Sequence, residues 1–320
     1  MKQMIICLSL VFLLFGCSDK DKQEDPVGKQ EDVQKEQALR GDDGNYRELN
    51  LSELKVENKV VSLQYSFDAY PIGLTYAIHL LQNGEPIPFA FEKDGEYATT
   101  QIKTFKKETN KAQVYIHPHS FEKGDNINFG MTFHNNPDYI PELQEFTRYS
   151  IEQQFPTGMS YVLTAKTSFD GTESLLLKDI KWEQTGAAEN QNLGNLYYEN
   201  DSAEVLKGLA QGKAVNDVNV MHVEKGKNFS ISVMQKSVEG SSGIISFYID
   251  HQLVKIEGKY DSASLQFSEE GYGITTFQLA VPDDIKKGNH TFYASIVDIP
   301  SLYDKYNSIE LTQQRVLVLE

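Results

Sequence analysis

The chain has 320 residues, with 30 basic against 46 acidic side chains and a formal net charge of −16. So negative a chain is repelled by nucleic acid and by anionic lipid headgroups, which argues against partners of either kind. It has only two cysteines, Cys7 and Cys17, so no disulfide, thiol nucleophile or thiolate metal site is expected in the folded part.

Met1 to Cys17 comes first. Lys2 is followed by an apolar run, Ile5 to Phe15, too short for an ordinary membrane-spanning helix and of the proportions of a secretory signal. Leu14-Phe15-Gly16-Cys17 closes it. These four residues resemble the lipobox of bacterial lipoproteins, with Phe15 standing where a smaller residue is usual. The resemblance is to a surface lipoprotein of the Gram-positive type. It implies cleavage after residue 16, acylation of Cys17, and a location at the extracytoplasmic face of the cell membrane. Cleavage there leaves a net charge of −17.

Ser18 to Asn45 holds nine acidic and five basic residues and little to bury. Such a segment cannot offset its own ordering entropy and is expected to be a disordered tether spanning about 30 Å.

From Tyr46 the pattern has period two. Val61, Leu63, Tyr65 and Phe67 alternate with polar residues, as do Leu74, Tyr76, Ile78 and Leu80 before a hairpin signal at Asn83-Gly84. Pro86 to Phe91, Tyr97 to Phe105, and Val114 with Ile116 are further strands. Ile127, Phe129, Met131 and Phe133 alternate after a turn at Lys123-Gly124-Asp125. The last third repeats this grammar through Phe229 to Val233, Ile245 to Ile249, Thr275 to Val281, Phe292 to Ile296 and Arg315 to Leu319. Lys123 to Phe129 also parallels Lys287 to Phe292, as two copies of one unit would.

The expected fold is therefore all-β: two tandem antiparallel β-sandwich domains, immunoglobulin-like in architecture, after the signal and tether. We assign residues 1–16 to the signal, 17–45 to the tether, 46–160 to the first domain and 161–320 to the second. Residues 161–214 form an inserted or connecting part of the second. Either Arg148 to Phe155 or Met159 to Lys166 supplies the last strand of the first domain, and a short helix is expected at Ser202 to Lys207.

No catalytic signature of hydrolases, metalloproteases or nucleotide-binding folds is present. The acidic loops Asp42-Asp43-Gly44-Asn45 and Glu199-Asn200-Asp201 lack calcium-loop spacing. His79 and His134 are expected on outward faces, with His117 and His119 near a strand end. An immunoglobulin-like order sets His117 about 20 Å from His134, at the end of the strand pole that His79 shares, so no three-histidine metal site is expected. No cofactor or metal is expected.

One candidate surface remains. Loops at one pole, Asp68 to Gly73 and His134 to Tyr139, carry Tyr70, His134, Asp138 and Tyr139; the second copy offers Tyr303, Asp304 and Tyr306. Tyrosine supplies rigid amphipathic contact area, so these loops suit a protein or glycan ligand at the envelope. The functional expectation is a non-enzymatic lipoprotein that binds or spaces something at the surface. A solute-binding lipoprotein of a transporter, and an envelope assembly factor or hydrolase, are the alternatives.

Overall fold

Strands form where the apolar alternation is clearest. The computed structural model describes residues 49–57, 60–68, 73–107, 109–135, 137–138, 157–173, 177–181, 183–184, 196–200, 220–237, 242–266, 271–299, 309–311 and 315–320. Every regular element among them is a β-strand. The expected helix at Ser202 to Lys207, the signal and the tether lie outside the described residues.

The first part contributes β1 (Leu49–Glu57), β2 (Val60–Asp68), β3 (Thr75–Gln82), β4 (Glu85–Pro86), β5 (Phe89–Ala90), β6 (Thr100–Thr104), β7 (Thr109–Ile116), β8 (Asn126–Asn135) and β9 (Thr157–Thr164). One sheet runs β1-β2-β7-β5. The other runs β4-β3-β8-β9, with β6 beside β3. Val61, Leu63 and Tyr65 of the first sheet and Ile78, Leu80, Phe129, Met131 and Phe133 of the second fill one core. Two sheets closing on their alternate apolar residues make a β-sandwich.

The last strand of this sandwich is β9, which pairs with β8 from Phe133↔Thr157 to Asn126↔Thr164. That selects Met159 to Lys166 over Arg148 to Phe155 and carries the sandwich past the expected boundary at residue 160. Ala165 still belongs to the first core, and Phe169 packs on it.

The second part contributes β10 (Leu177–Lys181), β11 (Glu183–Gln184), β12 (Leu196–Asn200), β13 (Val220–Val223), β14 (Asn228–Ser237), β15 (Ser242–Ile249), β16 (Gln252–Ile256), β17 (Ser262–Gln266), β18 (Gly271–Ala280), β19 (Gly288–Ile299), β20 (Ile309–Leu311) and β21 (Arg315–Leu319). Its strands follow the order β12-β14-β18-β16-β15-β19-β21-β13. The ladder folds over at β16, which pairs β15 at one end and β18 at the other. Ile231, Val233, Phe277 and Leu279 thus face Phe247, Ile249, Phe292 and Ile296 across a second core. Two pairings, β10 with β17 and β13 with β21, are parallel in an otherwise antiparallel set.

Residues 37–320 are one compact unit, yet its two large cores share no residue. Two tight turns prepare what joins them. Asn83 and Gly84 have φ of 51° and 88°, as the β3–β4 hairpin requires. Asp250 and His251 repeat that shape between β15 and β16, at φ of 46° and 66°. His251 thereby holds a left-handed conformation that few side chains adopt.

Candidate functional site

Strands with one face in a core put alternate residues on the opposite face. On β3, β8, β15 and β19 those outward residues are not solvated. All of β15 from Gly243 to Ile249 and all of β3 from Tyr76 to Gln82 are buried. These four strands carry no lysine, arginine or glutamate, and one aspartate, Asp298, near the end of β19. The uncharged outer face of the first sandwich lies against that of the second. Leu81 packs with Val297, and a Cβ on Gly84 would sit 2.9 Å from Ile244 Cβ.

A cluster of rings sits at the centre of this junction. His79 from β3 and His134 from β8 lie 5.3 Å apart, centroid to centroid, at nearly a right angle. From the second sandwich, Tyr248 comes within 4.4 Å of His79 and Tyr293 within 4.3 Å of His134. Tyr248 and Tyr293 are cross-strand partners, stacked at 5.0 Å. His251 closes the group, 5.4 Å from His134 and 6.4 Å from His79. None of these five side chains reaches solvent appreciably; His251, at 4%, is the most exposed.

Hydrogen bonds tie the two sandwiches together here. The Tyr293 hydroxyl is 2.8 Å from His79 Nε2 and 2.9 Å from His251 Nδ1. Thr100 Oγ1 on β6 donates to the His251 carbonyl at 2.6 Å and lies 3.1 Å from His79 Nδ1. His251 Nε2 faces the Pro137 carbonyl at 3.1 Å. His134 has no hydrogen-bond partner on either nitrogen among the described residues.

Burial is the largest influence on all three imidazoles and favours their neutral forms. It brings His79 down to about 3, with His251 adding repulsion. His134 is held well below the ordinary histidine value by burial and then by its two histidine neighbours. His251 is lowered less, because the Pro137 carbonyl and the Asp250 and Asp138 carboxylates favour its charged form. Burial also pushes the Tyr248 hydroxyl up to about 12 and raises Tyr293 well above its usual range. Among the described residues, no group of three histidine, cysteine or acidic side chains is arranged to hold a metal ion.

The loop surface expected at one pole is largely beyond view. Cys17, Tyr70, Tyr139, Tyr303, Asp304 and Tyr306 lie outside the described residues. Asp138 is exposed. His134 does not belong to an exposed loop: it is on β8 and fully buried. The outward faces expected for His79 and His134 are also corrected: both side chains are buried. β3 and β8 are neighbours in one sheet, with Ala77 opposite His134 and His79 opposite Thr132, and their outer face is covered. His117 and His119 lie beyond the end of β7. His117 is exposed against Tyr97 at 4.1 Å, and His119 lies 3.3 Å from Glu85.

His251 and the tyrosines Tyr248 and Tyr293 were not among the expected site residues. The available signal was the absence of charge from β3, β8, β15 and β19, a weak one because the partly exposed β9 and β18 are uncharged too.

No family model and no curated protein sequence matches the chain. Among solved structures, the YadV chaperone aligns over 84% of this chain and all of its own, at 10% identity and a TM-score of 0.21. The CupB6 tip adhesin from Pseudomonas aeruginosa aligns over 86% of this chain and 98% of its own, at 9% identity and a TM-score of 0.20. The CBD12 calcium-binding domain of CALX1.1 aligns over 78% of each chain, at 8% identity and a TM-score of 0.19.

Proposed function

We propose that the chain is a non-enzymatic lipoprotein of the bacterial envelope, held by an acylated Cys17, that presents two β-sandwiches as one stiff unit for binding or spacing at the cell surface. The observation that carries this reading is the buried junction, whose five rings are at most 4% exposed. Ring stacking and direct hydrogen bonds fill the space between the sandwiches, where a hinged ligand-closing protein would need an open cleft. Buried ring contacts and direct hydrogen bonds of this kind oppose the relative motion that is otherwise expected between joined sandwiches. A stiff unit behind an acidic tether sequence suits display away from the lipid, and its negative charge keeps it off headgroups and nucleic acid. The ligand, a protein or glycan, is assigned to exposed Asp138 together with Tyr70 and Tyr139, which lie outside the described residues.

Metabolic labelling with a radioactive fatty acid, followed by membrane fractionation, tests the anchor. The intact chain should incorporate label and sediment with membranes, and Cys17→Ser should lose the label and stall in processing or reach the medium. A Cys17→Ser protein that stays membrane-bound and is trimmed normally would overturn the reading.

A further inference from the structure

Hydrogens in the junction can be counted. Five contacts form a line from the Pro137 carbonyl through His251, Tyr293, His79 and Thr100 back to the His251 carbonyl. Each contact needs one hydrogen, and both ends are carbonyls, which only accept. Neutral His251, Tyr293, His79 and Thr100 bring one hydrogen each. The neutral line is therefore one hydrogen short, and one contact sets two acceptors face to face.

A single added proton completes it. With His251 doubly protonated, it donates to Pro137 and Tyr293, Tyr293 donates to His79, His79 to Thr100, and Thr100 to the His251 carbonyl. His251 is also the ring that carboxylates face: Asp250 beside it, which further holds His290 and Thr291, and exposed Asp138. Among the described residues, no other charged side chain from β3, β6, β8, β15 or β19 meets the cluster. Lys103 of β6 lies over Phe91 instead, and Tyr248 and Tyr293 ionise only far above neutrality.

Further protons find no such place. His79 Nε2 is then already an acceptor for Tyr293, and protonating it breaks the line. His134, wholly buried, packs against the rings of His79, His251 and Tyr293 and has no hydrogen-bond partner among the described residues. Its charged form would gain no hydrogen bond and would meet a charged neighbour.

We propose that this junction is an acid-sensitive latch: it accepts one proton in place on His251, and two more, on His79 and His134, part the sandwiches while each keeps its own core. The separateness of the two cores makes such parting possible: among the described residues they share no side chain, and the hydrophobic cluster across the junction is the small pair Leu81 and Val297. The latch holds whether or not Cys17 is acylated. A histidine released to water titrates near 6.5, so between pH 8 and pH 5 each of the two favours the open state by about 30-fold, and together by about 1000-fold.

Small-angle scattering and far-UV circular dichroism of the full chain from pH 7.5 to 4.5 test this. The radius of gyration should rise reversibly below about pH 6 with the strand signal unchanged, and the opening should take up close to two protons. His134→Phe, which keeps the stacked ring and loses no hydrogen bond, should take up one proton instead and open at lower pH. Unchanged scattering down to pH 4.5, loss of strand signal together with expansion, or the same proton uptake in His134→Phe would overturn the proposal. Should His134→Phe fail to fold, the wild-type scattering and dichroism curves decide alone.

Discussion

Tyr293 sets its hydroxyl 2.8 Å from His79 of the first sandwich and 2.9 Å from His251 of its own. One phenol oxygen thus serves two buried imidazoles that reach it from different parts of the chain. Tyr248, stacked beside it, has no comparable duty: its hydroxyl lies 3.5 Å from Ser295 Oγ. The two tyrosines bury similar rings, so removing each oxygen in turn separates the hydrogen-bonded role from the packing role.

Tyr293→Phe leaves two buried nitrogens without their partner and should cost about 2–4 kcal/mol, since a stranded buried polar group costs about 1–3 kcal/mol. Tyr248→Phe should cost less than about 1 kcal/mol. Urea denaturation at pH 7.5 measures both, and equal losses would mean that the hydroxyl of Tyr293 is not what joins the sandwiches.

Much of the architecture was legible in the sequence because each core uses one face of each strand. Leu63 and Tyr65, or Phe129 and Met131, announce strand and inward face together. The alternation of Phe247 and Ile249 with Ser246 and Tyr248 did so equally well, but it misled on the other face. Serine, tyrosine, threonine and histidine are compatible with water and also with a polar, hydrogen-bonded interface, and period two does not distinguish them. Nor could local pattern show that β3 and β8 are sheet neighbours, which is what brings His79 to His134. His251 was illegible for a different reason. It occupies a turn position where asparagine or glycine is usual, and its role comes from contacts with Pro137 and Tyr293, far away in sequence.

A charge placed on the junction face exposes the difference between apparent and real exposure. Ser295 is polar yet only 3% exposed, whereas Ile102 on β6 is apolar and 53% exposed. Ser295→Lys should cost more than about 3 kcal/mol or fail to yield folded protein, because a buried ammonium there has no partner. Ile102→Lys should change stability by less than about 0.5 kcal/mol. Thermal unfolding followed by circular dichroism ranks the two, and a tolerated lysine at residue 295 would mean that this face is open to water.

Gly84 is required twice over. Its φ of +88° suits glycine, and a Cβ would lie 2.9 Å from both Cβ and Cγ1 of Ile244 across the junction. Gly124 has a similar φ of +97° with nothing within 4 Å of a Cβ. Gly124→Ala should therefore report backbone strain alone, about 1–2 kcal/mol. Gly84→Ala should add a steric cost of about 1–3 kcal/mol and loosen the junction. If urea midpoints show the two substitutions to be equivalent, the hairpin is not pressed against the second sandwich.

Stability should have a plateau bounded on both sides by groups of the junction. On the acid side, His79 titrates at about 3 in the fold against 6.5 when released, so the unfolded chain binds its proton first. The stability tied to its neutral form is complete above 6.5 and is lost as pH falls toward 3. At about 1.4 kcal/mol per pH unit, His79 alone removes about 2 kcal/mol between pH 6.5 and 5, and His134 acts in the same direction. On the alkaline side the folded value of Tyr248 is raised from 10.0 to about 12. Its contribution is complete below 10 and is lost as pH rises from 10 toward 12, with Tyr293 acting likewise. Urea midpoints measured from pH 4 to 11 should be flat between about 7 and 10 and fall on either side. His134→Phe should make the acid flank shallower and leave the alkaline flank unchanged. A maximum near pH 5 would show instead that carboxylates govern the acid side and that His79 and His134 do not stay neutral in the fold.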